Sequence, residues 1–182
     1  MAKKEMILNK YLKTPFETDT SSNWNEYPRP SFKRDSYLCL NGEWDLSSEL
    51  CGKETKLGKI NVPFTPETRL SGIHREKQAG EKYIYRRAFV LDSDFIKETV
   101  LLHFGAVDQI CRVFVNGQIV GDHVGGYLPF SFDISGFVKE GKNYVKVVVL
   151  DELDRELAYG KQRKDRGGMW YTPISGIWQT VW

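Results

Sequence analysis

The stretch Val113-Phe-Val-Asn-Gly-Gln-Ile-Val120 decides the class of fold that we expect for this chain. Its central pair, Asn116-Gly117, stands between two apolar runs, and these two residue types readily adopt the positive φ angles that a type I′ turn requires. A two-residue turn of this kind joins neighbouring antiparallel strands because it matches their twist. The stretch therefore predicts a β-hairpin.

Short runs of the same β-favouring character lie on both sides of this hairpin, separated by turn-forming residues. They cover residues 37–46, 58–62, 82–91, 99–104, 110–115, 118–122, 128–133, 144–150 and 176–182. The valine-rich run 144–150 has the nearly continuous apolar character of a strand buried on both faces. So many short strands predict an all-β fold. A jelly-roll β-sandwich is favoured over a barrel, although periodicity alone does not separate the two.

Composition favours one folded domain without a charged partner. The chain has 182 residues, of which 41% are hydrophobic, and this is enough for one substantial core. Residues 1–36 are rich in Thr, Ser, Asn, Pro and charge, so we expect an arm before a domain over residues 37–182. The net charge is +2 and the charges are of mixed sign, which argues against nucleic acid or an anionic membrane as partner.

The cysteines and the chain ends bear on location and on missing parts. Cys39, Cys51 and Cys111 are an odd number without CxxC spacing, so neither a disulfide framework nor a zinc site is expected. The first residues lack the apolar core of a signal peptide, which predicts a cytoplasmic protein, or a secreted or periplasmic one if a leader has been removed. Because the chain stops at Trp182 within a strand-like run, we expect a further domain to follow.

Several short motifs, in this order and spacing, carry a family resemblance. They are Leu40-Asn-Gly-Glu-Trp-Asp45, Ile60-Asn-Val-Pro-Phe64, Tyr85-Arg-Arg-Ala-Phe89, His103-Phe-Gly-Ala-Val-Asp108, Val115-Asn-Gly117, Gly125-Gly-Tyr-Leu-Pro-Phe-Ser-Phe-Asp133 and Gly167-Gly-Met-Trp-Tyr-Thr-Pro-Ile-Ser-Gly-Ile-Trp-Gln-Thr-Val181. Together they resemble the N-terminal sugar-binding domain of family 2 glycoside hydrolases, the group of β-galactosidases, β-glucuronidases and β-mannosidases. The resemblance extends from residue 40 to residue 182.

The resemblance implies a jelly-roll domain beside an immunoglobulin-like domain and a (β/α)₈ barrel. In that family the barrel carries two glutamates, roughly 5 Å apart, which act as the acid/base and nucleophile of a retaining mechanism. This chain contains no barrel, so we expect no catalytic residues and no cofactor in it. Its expected role is to supply loops to the substrate cleft, where hydrogen bonds to sugar hydroxyls orient the substrate.

Two loops of the family approach the substrate, and their motifs map onto this sequence. In the first loop, the β-galactosidases have a polar residue such as Asn after the position of Gly105-Ala-Val107, and this chain has Asp108 there. The carboxylate of Asp108 could accept hydrogen bonds from two hydroxyls, or it could merely cap a turn. In the second, an Asp two residues before the Trp contacts sugar in the β-galactosidases, but this chain has Gly168 there. Asp165 and Arg166 are the candidate substitutes, and Trp170 is a candidate for stacking on a sugar face.

Other clusters favour structural interpretations. The histidines lie about twenty or more residues apart without Cys or paired carboxylates, so a metal site is not expected. The carboxylates at 151, 152, 154 and 156 are interpreted as a solvated loop edge.

Three functions remain: an accessory domain of a glycosidase, an independent carbohydrate-binding module, and an assembly domain for oligomer contacts, including a homo-oligomer. A neutral glycoside is the expected ligand. A galactoside is favoured over a glucuronide because Asp108 would repel a substrate carboxylate.

Overall fold

A computed structural model describes residues 28–29, 31, 33–153, 156–165 and 167–182. The described residues contain ten strands, a short 3-10 turn at Arg69–Ser71 and no α-helix, so the all-β prediction is confirmed. The strands are β1 Gly42–Leu50, β2 Lys53–Val62, β3 Lys82–Leu91, β4 Leu101–Phe104, β5 Val107–Asp108, β6 Ile110–Val115, β7 Gln118–Val124, β8 Phe130–Asp133, β9 Gly141–Leu150 and β10 Gly176–Ile177. The predicted arm lies mostly in residues 1–27, outside the described part of the chain.

One layer of the sandwich is a six-stranded sheet in the order β2-β1-β3-β9-β6-β7. All neighbouring strands in it are antiparallel. The β6–β7 connection is the predicted hairpin: Val115 pairs with Gln118, and Asn116 and Gly117 have φ angles of 50° and 85°. This sign of φ at both turn positions confirms the type I′ prediction.

The second layer is built from short segments that are distant in sequence. Strand β4 pairs with β8, and the last residues of the chain extend this layer. The His103 N–H donates to the Trp182 carbonyl at 2.7 Å, and the Gly105 N–H donates to the Thr180 carbonyl at 2.8 Å. The short pair β5 and β10 lies beside this set, with Asp108 opposite Gly176.

The core between the layers consists of aromatic and branched aliphatic side chains. The largest fully buried side chains are Trp44, Tyr83, Tyr85, Phe104 and Leu46. The Trp44 ring meets the Tyr85 ring edge to face, with centroids 6.5 Å apart, and the indole N–H donates to the Leu40 carbonyl at 2.7 Å. Burial of such large apolar surfaces is the main source of stability for a sandwich of this size.

The interpretation of residues 144–150 as buried on both faces is wrong. Along β9 the burial alternates: Val145, Val147 and Val149 lie in the core, whereas Lys146, Val148 and Leu150 are only half-buried. β9 is a central strand, but one face of its sheet is directed away from the second layer. A run of valines does not reveal this, because the same residue type fills both faces.

Some strand limits also differ from the sequence-based expectation. β1 runs to Leu50 and includes Ser47 and Ser48, which are polar but small enough to be buried. The pairing of β1 with β2 shifts register between Leu46 and Ser47. β2 begins at Lys53 because its charged first half is an edge exposed to water, where hydrophobic alternation is not needed. At the C-terminus only Gly176–Ile177 forms a strand, followed by a single bridge from Val181 to Phe104.

Gly176 is a position where the packing of the core depends on the absence of a side chain. Its φ is 83°, and a Cβ atom there would overlap the Tyr85 hydroxyl. We expect Gly176→Ala to lower the free energy of unfolding by about 1 to 3 kcal/mol, because a buried tyrosine must shift. Urea denaturation measures this, with Gly136→Ala as control, since the space around Gly136 is open. Equal stability of the two variants would contradict the expectation.

Among the described residues, none belongs to a helix long and apolar enough to cross a membrane.

Candidate functional site

Polar residues from distant segments gather at the end of the sandwich where β5 meets β10. The contributing segments are residues 63–81 after β2, residues 125–129 after β7, and the long connection 151–175 between β9 and β10. β7 and β9 end at this end of the sheet, and β3, which follows residues 63–81, begins there. The pairing of Leu150 with both Lys82 and Ile110 therefore brings the three segments together. The connection 151–175 is named the crossing segment below.

Asp108 lies at the centre of this end and is almost inaccessible. Its exposed fraction is 2%, and its carboxyl group packs so closely on Gly126 that a Cβ atom there would overlap it. Burial raises the pKa of Asp108 to about 7, the negative charge of Asp151 acts in the same direction, and a hydrogen bond from Gln162 partly offsets both. This carboxyl therefore carries a proton for much of the time near neutral pH.

Asp151 is also buried, so its interpretation as part of a solvated loop edge is wrong. Its exposed fraction is 6%, and Oδ1 accepts a hydrogen bond from the Leu153 N–H at 2.8 Å. Burial raises its pKa, and the Leu153 N–H and the charge of Lys77 offset part of the effect. The next residue, Glu152, is partly exposed and pairs with Lys77 at 2.7 Å. Asp154 lies outside the described residues.

Glu67 is a third carboxyl at this end, and sequence reasoning missed it. Its Oε1 accepts a hydrogen bond from the Ser175 hydroxyl at 2.6 Å, and its Oε2 accepts one from the Ser175 N–H at 3.2 Å. Burial raises the pKa of Glu67, although the hydrogen bonds from Ser175 act in the opposite direction. The signal in the sequence is weak, because one glutamate in a loop 108 residues from its partner forms no local pattern.

Gln162 holds the two halves of the crossing segment together. Its amide donates to the Tyr159 carbonyl at 2.8 Å and to the Tyr127 hydroxyl at 3.3 Å. Its carbonyl oxygen accepts a hydrogen bond from the Ile174 N–H at 2.7 Å. The backbone adds a bond from the Tyr171 N–H to the Lys161 carbonyl at 2.8 Å. A buried amide with donors and acceptor all satisfied is a rigid support for the surface above it.

That surface is an open groove of about 390 Å³, named the Trp170 groove below. It is lined by Leu153, Tyr159, Gln162, Arg163, Lys164, Asp165 and Trp170. Trp170 is half-buried, and the Arg163 guanidinium lies 5.1 Å from the ring centroid. Arg163 also binds Asp165 through two hydrogen bonds of 3.0 and 2.7 Å, which lower the pKa of that carboxyl.

The structure brings two of the four sequence-predicted residues into one surface. Asp165 and Trp170 both line the groove, and three-quarters of the Asp165 side chain is exposed. Asp108 does not line it, but lies behind it in contact with Gln162. Arg166 lies outside the described residues. Gly168, which stands where the β-galactosidases have Asp, is exposed with a φ of 60°.

The described part of the chain holds no group of three or more His, Cys, Asp or Glu side chains suited to a metal ion. His103 instead stacks on Trp182 with centroids 4.9 Å apart and hydrogen-bonds Ser131. His123 stacks on Phe130. Aromatic packing is therefore the observed role of these two histidines.

Comparison with known families agrees with this fold. A family described as "Glycosyl hydrolases family 2, sugar binding domain" matches residues 72–182. The chain therefore belongs to this family of sugar-binding domains.

Among characterised relatives, a β-galactosidase of Thermoanaerobacter pseudethanolicus is 33% identical over 71% of this chain and 17% of its own length. A putative β-glucuronidase of Formosa agariphila is 28% identical over 88% of this chain and 19% of its own length. The chain thus spans less than a fifth of the relatives it matches.

Solved structures share the fold at low sequence identity. A β-D-mannosidase from Dictyoglomus thermophilum has a TM-score of 0.59 and 22% identity over 79% of this chain and 22% of its own. A β-glucuronidase from an uncultured Clostridium has the same score and identity over 79% of this chain and 28% of its own. The jelly-roll prediction is confirmed by this likeness.

Proposed function

We propose that this chain is the non-catalytic sugar-binding domain of a longer β-glycosidase, and that its Trp170 groove forms one wall of the substrate cleft. The observation that carries the proposal is the groove itself, which combines an aromatic ring with a carboxylate and a supported amide in a chain of this family. Bond cleavage belongs to two glutamates of a downstream barrel, acting by a retaining mechanism. The relatives named as β-galactosidases and β-glucuronidases support this assignment.

The chemistry of the groove suits a sugar. The Trp170 ring offers an apolar face to the C–H side of a pyranose, and the exposed oxygens of Asp165 accept hydrogen bonds from hydroxyl groups. The Arg163 guanidinium, which lies near this ring, would shift to admit a ligand. When Arg163 shifts, its hydrogen bonds to Asp165 are released, and hydroxyl groups of the sugar can take their place.

The charges around the groove favour a neutral glycoside, and we propose a galactoside. Arg163 and Asp165 compensate each other, with their closest atoms 2.7 Å apart. The charge of Lys164 acts on Asp151 and Glu152, where it favours the ionised carboxylates against the effect of burial. Because Asp165 compensates Arg163 and the charge of Lys164 is shared with two other carboxylates, we expect the described lining residues to select a uronate only weakly. Repulsion between Asp108 and a substrate carboxylate contributes little to this preference, since the Asp108 carboxyl is buried and has a pKa of about 7.

The buried carboxyls do not suit a catalytic pair. A retaining glycosidase needs two carboxyls on either side of the scissile bond, in a cleft that the substrate can enter. Asp108 is 2% exposed and Asp151 is 6% exposed, so neither carboxyl group can reach a glycosidic bond. We therefore infer that the chain alone does not hydrolyse glycosides.

Trp170→Ala is expected to weaken binding of a β-galactoside to the chain roughly two- to tenfold, because an aromatic stacking contact is lost. NMR titration of the 182-residue chain with a methyl β-galactoside, and separately with a β-glucuronide, measures this. Tyr171→Ala is the matched control. Tyr171 is next to Trp170 in the chain and is 67% exposed, but it does not line the groove. Equal affinity in all three proteins, or preference for the glucuronide, would contradict the proposal.

The same titration separates the second candidate function, an independent carbohydrate-binding module. One wall of a cleft contacts few hydroxyls, so the accessory-domain proposal expects millimolar affinity. Micromolar affinity of the isolated chain would favour the independent module instead. Turnover of a chromogenic β-galactoside by the purified chain would refute both.

A further inference from the structure

The crossing segment has its clearest side-chain attachment at its C-terminal end. There Ser175 gives both of its donors, the backbone N–H and the hydroxyl, to the two oxygens of Glu67 at 3.2 and 2.6 Å. Glu67 belongs to the loop after β2, so this attachment joins two connections that share no local sequence. It lies beside a small cavity of about 110 Å³ that both residues line.

The attachment continues to the groove through a short chain of contacts. Ile174, next to Ser175, donates its N–H to Gln162 at 2.7 Å. Gln162 lines the Trp170 groove and donates to the Tyr159 carbonyl on the same surface at 2.8 Å. Ser175 is therefore connected to the groove wall through its neighbour Ile174 and the hydrogen bonds of Gln162.

We propose that Glu67 is a positioning residue for the Trp170 groove: by holding Ser175 through both oxygens, it fixes the crossing segment and sets the sugar affinity of the groove. This inference rests on the proposed function, and it assigns a role to a residue that does not touch the groove.

A carboxylate is the group that suits this role. The Ser175 N–H can only donate, so its partner must be an acceptor, and the ionised carboxylate offers acceptors at both oxygens. The amide of a glutamine can accept from the Ser175 N–H with its oxygen and, because a hydroxyl also accepts, can donate its NH₂ to the Ser175 hydroxyl, so two charge-assisted hydrogen bonds become two weaker neutral ones. The variant Glu67→Gln thus removes charge and one acceptor while it preserves the shape of the side chain.

The surroundings of Glu67 determine how it responds to pH. The Ser175 hydroxyl and N–H hydrogen-bond the carboxylate, and its charge raises the pKa values of Tyr83 and Tyr85 of β3. The same small cavity is lined by Glu76, Lys77, Asp151 and Lys164, and Glu67 also acts on Asp108. Because burial raises its pKa, Glu67 takes up a proton at a less acidic pH than a free glutamate does.

The test compares the full chain with Glu67→Gln and Glu76→Gln. Glu76 is an exposed glutamate that lines the same small cavity, so it is a control for the loss of one negative charge. Two readouts are used: ligand-free NMR of the Ser175 amide and the Trp170 indole, and the dissociation constant for methyl β-galactoside. Glu67→Gln is expected to move the Ser175 amide upfield and to weaken sugar binding about three- to tenfold, the range for replacing a charge-assisted hydrogen bond by a neutral one.

A pH titration distinguishes this role from general stabilisation. In the wild-type chain the Ser175 amide shift follows the protonation of Glu67 as the pH falls, and Glu67→Gln removes that step while the steps from Asp108 and Asp151 remain. If Glu67→Gln does not fold, Ser175→Ala provides the test, since it deletes only the hydroxyl bond and is expected to give a smaller change in the same direction.

Two results overturn the proposal: unchanged Ser175 and Trp170 signals in Glu67→Gln, or altered signals with unchanged sugar affinity. A wild-type chain that binds no sugar contradicts the proposed function instead. In that case the ligand-free signals still decide whether Glu67 fixes the crossing segment.

Discussion

Asp108→Asn is expected to remove most of the loss of stability that the wild-type chain shows as the pH rises from about 4 to about 7. The folded-state pKa of Asp108 is about 7, against 3.8 for an unperturbed aspartate. Between these values the folded chain holds a proton that the unfolded chain has released, so the free energy of unfolding decreases as the pH increases. The full effect is about 4 kcal/mol at pH 8, at 1.4 kcal/mol for each unit.

Asparagine suits this experiment because it resembles the protonated carboxyl and fits the same space against Gly126. Denaturant titrations at pH 5 and pH 8 give the two slopes. Asp165→Asn is the control, since the pKa of this exposed carboxyl is lowered by Arg163 and its loss should leave the slope between these pH values unchanged. Burial also raises the pKa values of Glu67 and Asp151, so a smaller slope should persist. Parallel curves for wild type and Asp108→Asn would contradict the expectation.

Trp44→Ala is expected to lower the free energy of unfolding by about 3 to 5 kcal/mol, the range for truncation of a large buried aromatic side chain. The Trp44 ring is 1% exposed, packs against Tyr85, and donates its indole N–H to the buried Leu40 carbonyl. The change leaves a cavity and removes one of the two hydrogen bonds that the Leu40 carbonyl accepts, the other coming from Arg87 at 2.9 Å. Since a domain of this size is stable by only about 5 to 15 kcal/mol, the loss is a large share of the total.

Equilibrium urea unfolding followed by circular dichroism measures this change. Tyr171→Ala, at a position 67% exposed, is the matched control and should alter stability by less than about 0.5 kcal/mol. A loss below 1 kcal/mol in Trp44→Ala would mean that the core does not depend on this ring.

The strands of the candidate site and of the core were not equally predictable from the sequence. β3 and β6 were predicted with their observed limits, because β-branched and aromatic residues are concentrated in them and turn-forming residues stand outside them. β5 was missed since two residues cannot show a period. The valines of β9 suggested burial on both faces, but which face is covered depends on the partner layer.

The candidate site was only partly predictable for a similar reason. Trp170 and Asp165 became candidates through the family resemblance, because they stand in the polar, glycine-containing loop whose counterpart approaches the substrate in that family. Glu67 and Gln162 carry no such mark, because their partners are far away along the chain. Asp151 was assigned to a solvated edge on the basis of its charged neighbours, whereas its side chain is buried.

The sequence by itself determined the all-β class, the Asn116-Gly117 hairpin and the family to which the chain belongs, because turn conformation and side-chain alternation depend on neighbouring residues. Only the tertiary structure decided that Glu67, Asp108 and Asp151 lie at one end of the sandwich, and that burial raises their pKa values. The loss of water around a carboxyl depends on segments up to 108 residues apart, and no local pattern records such contacts.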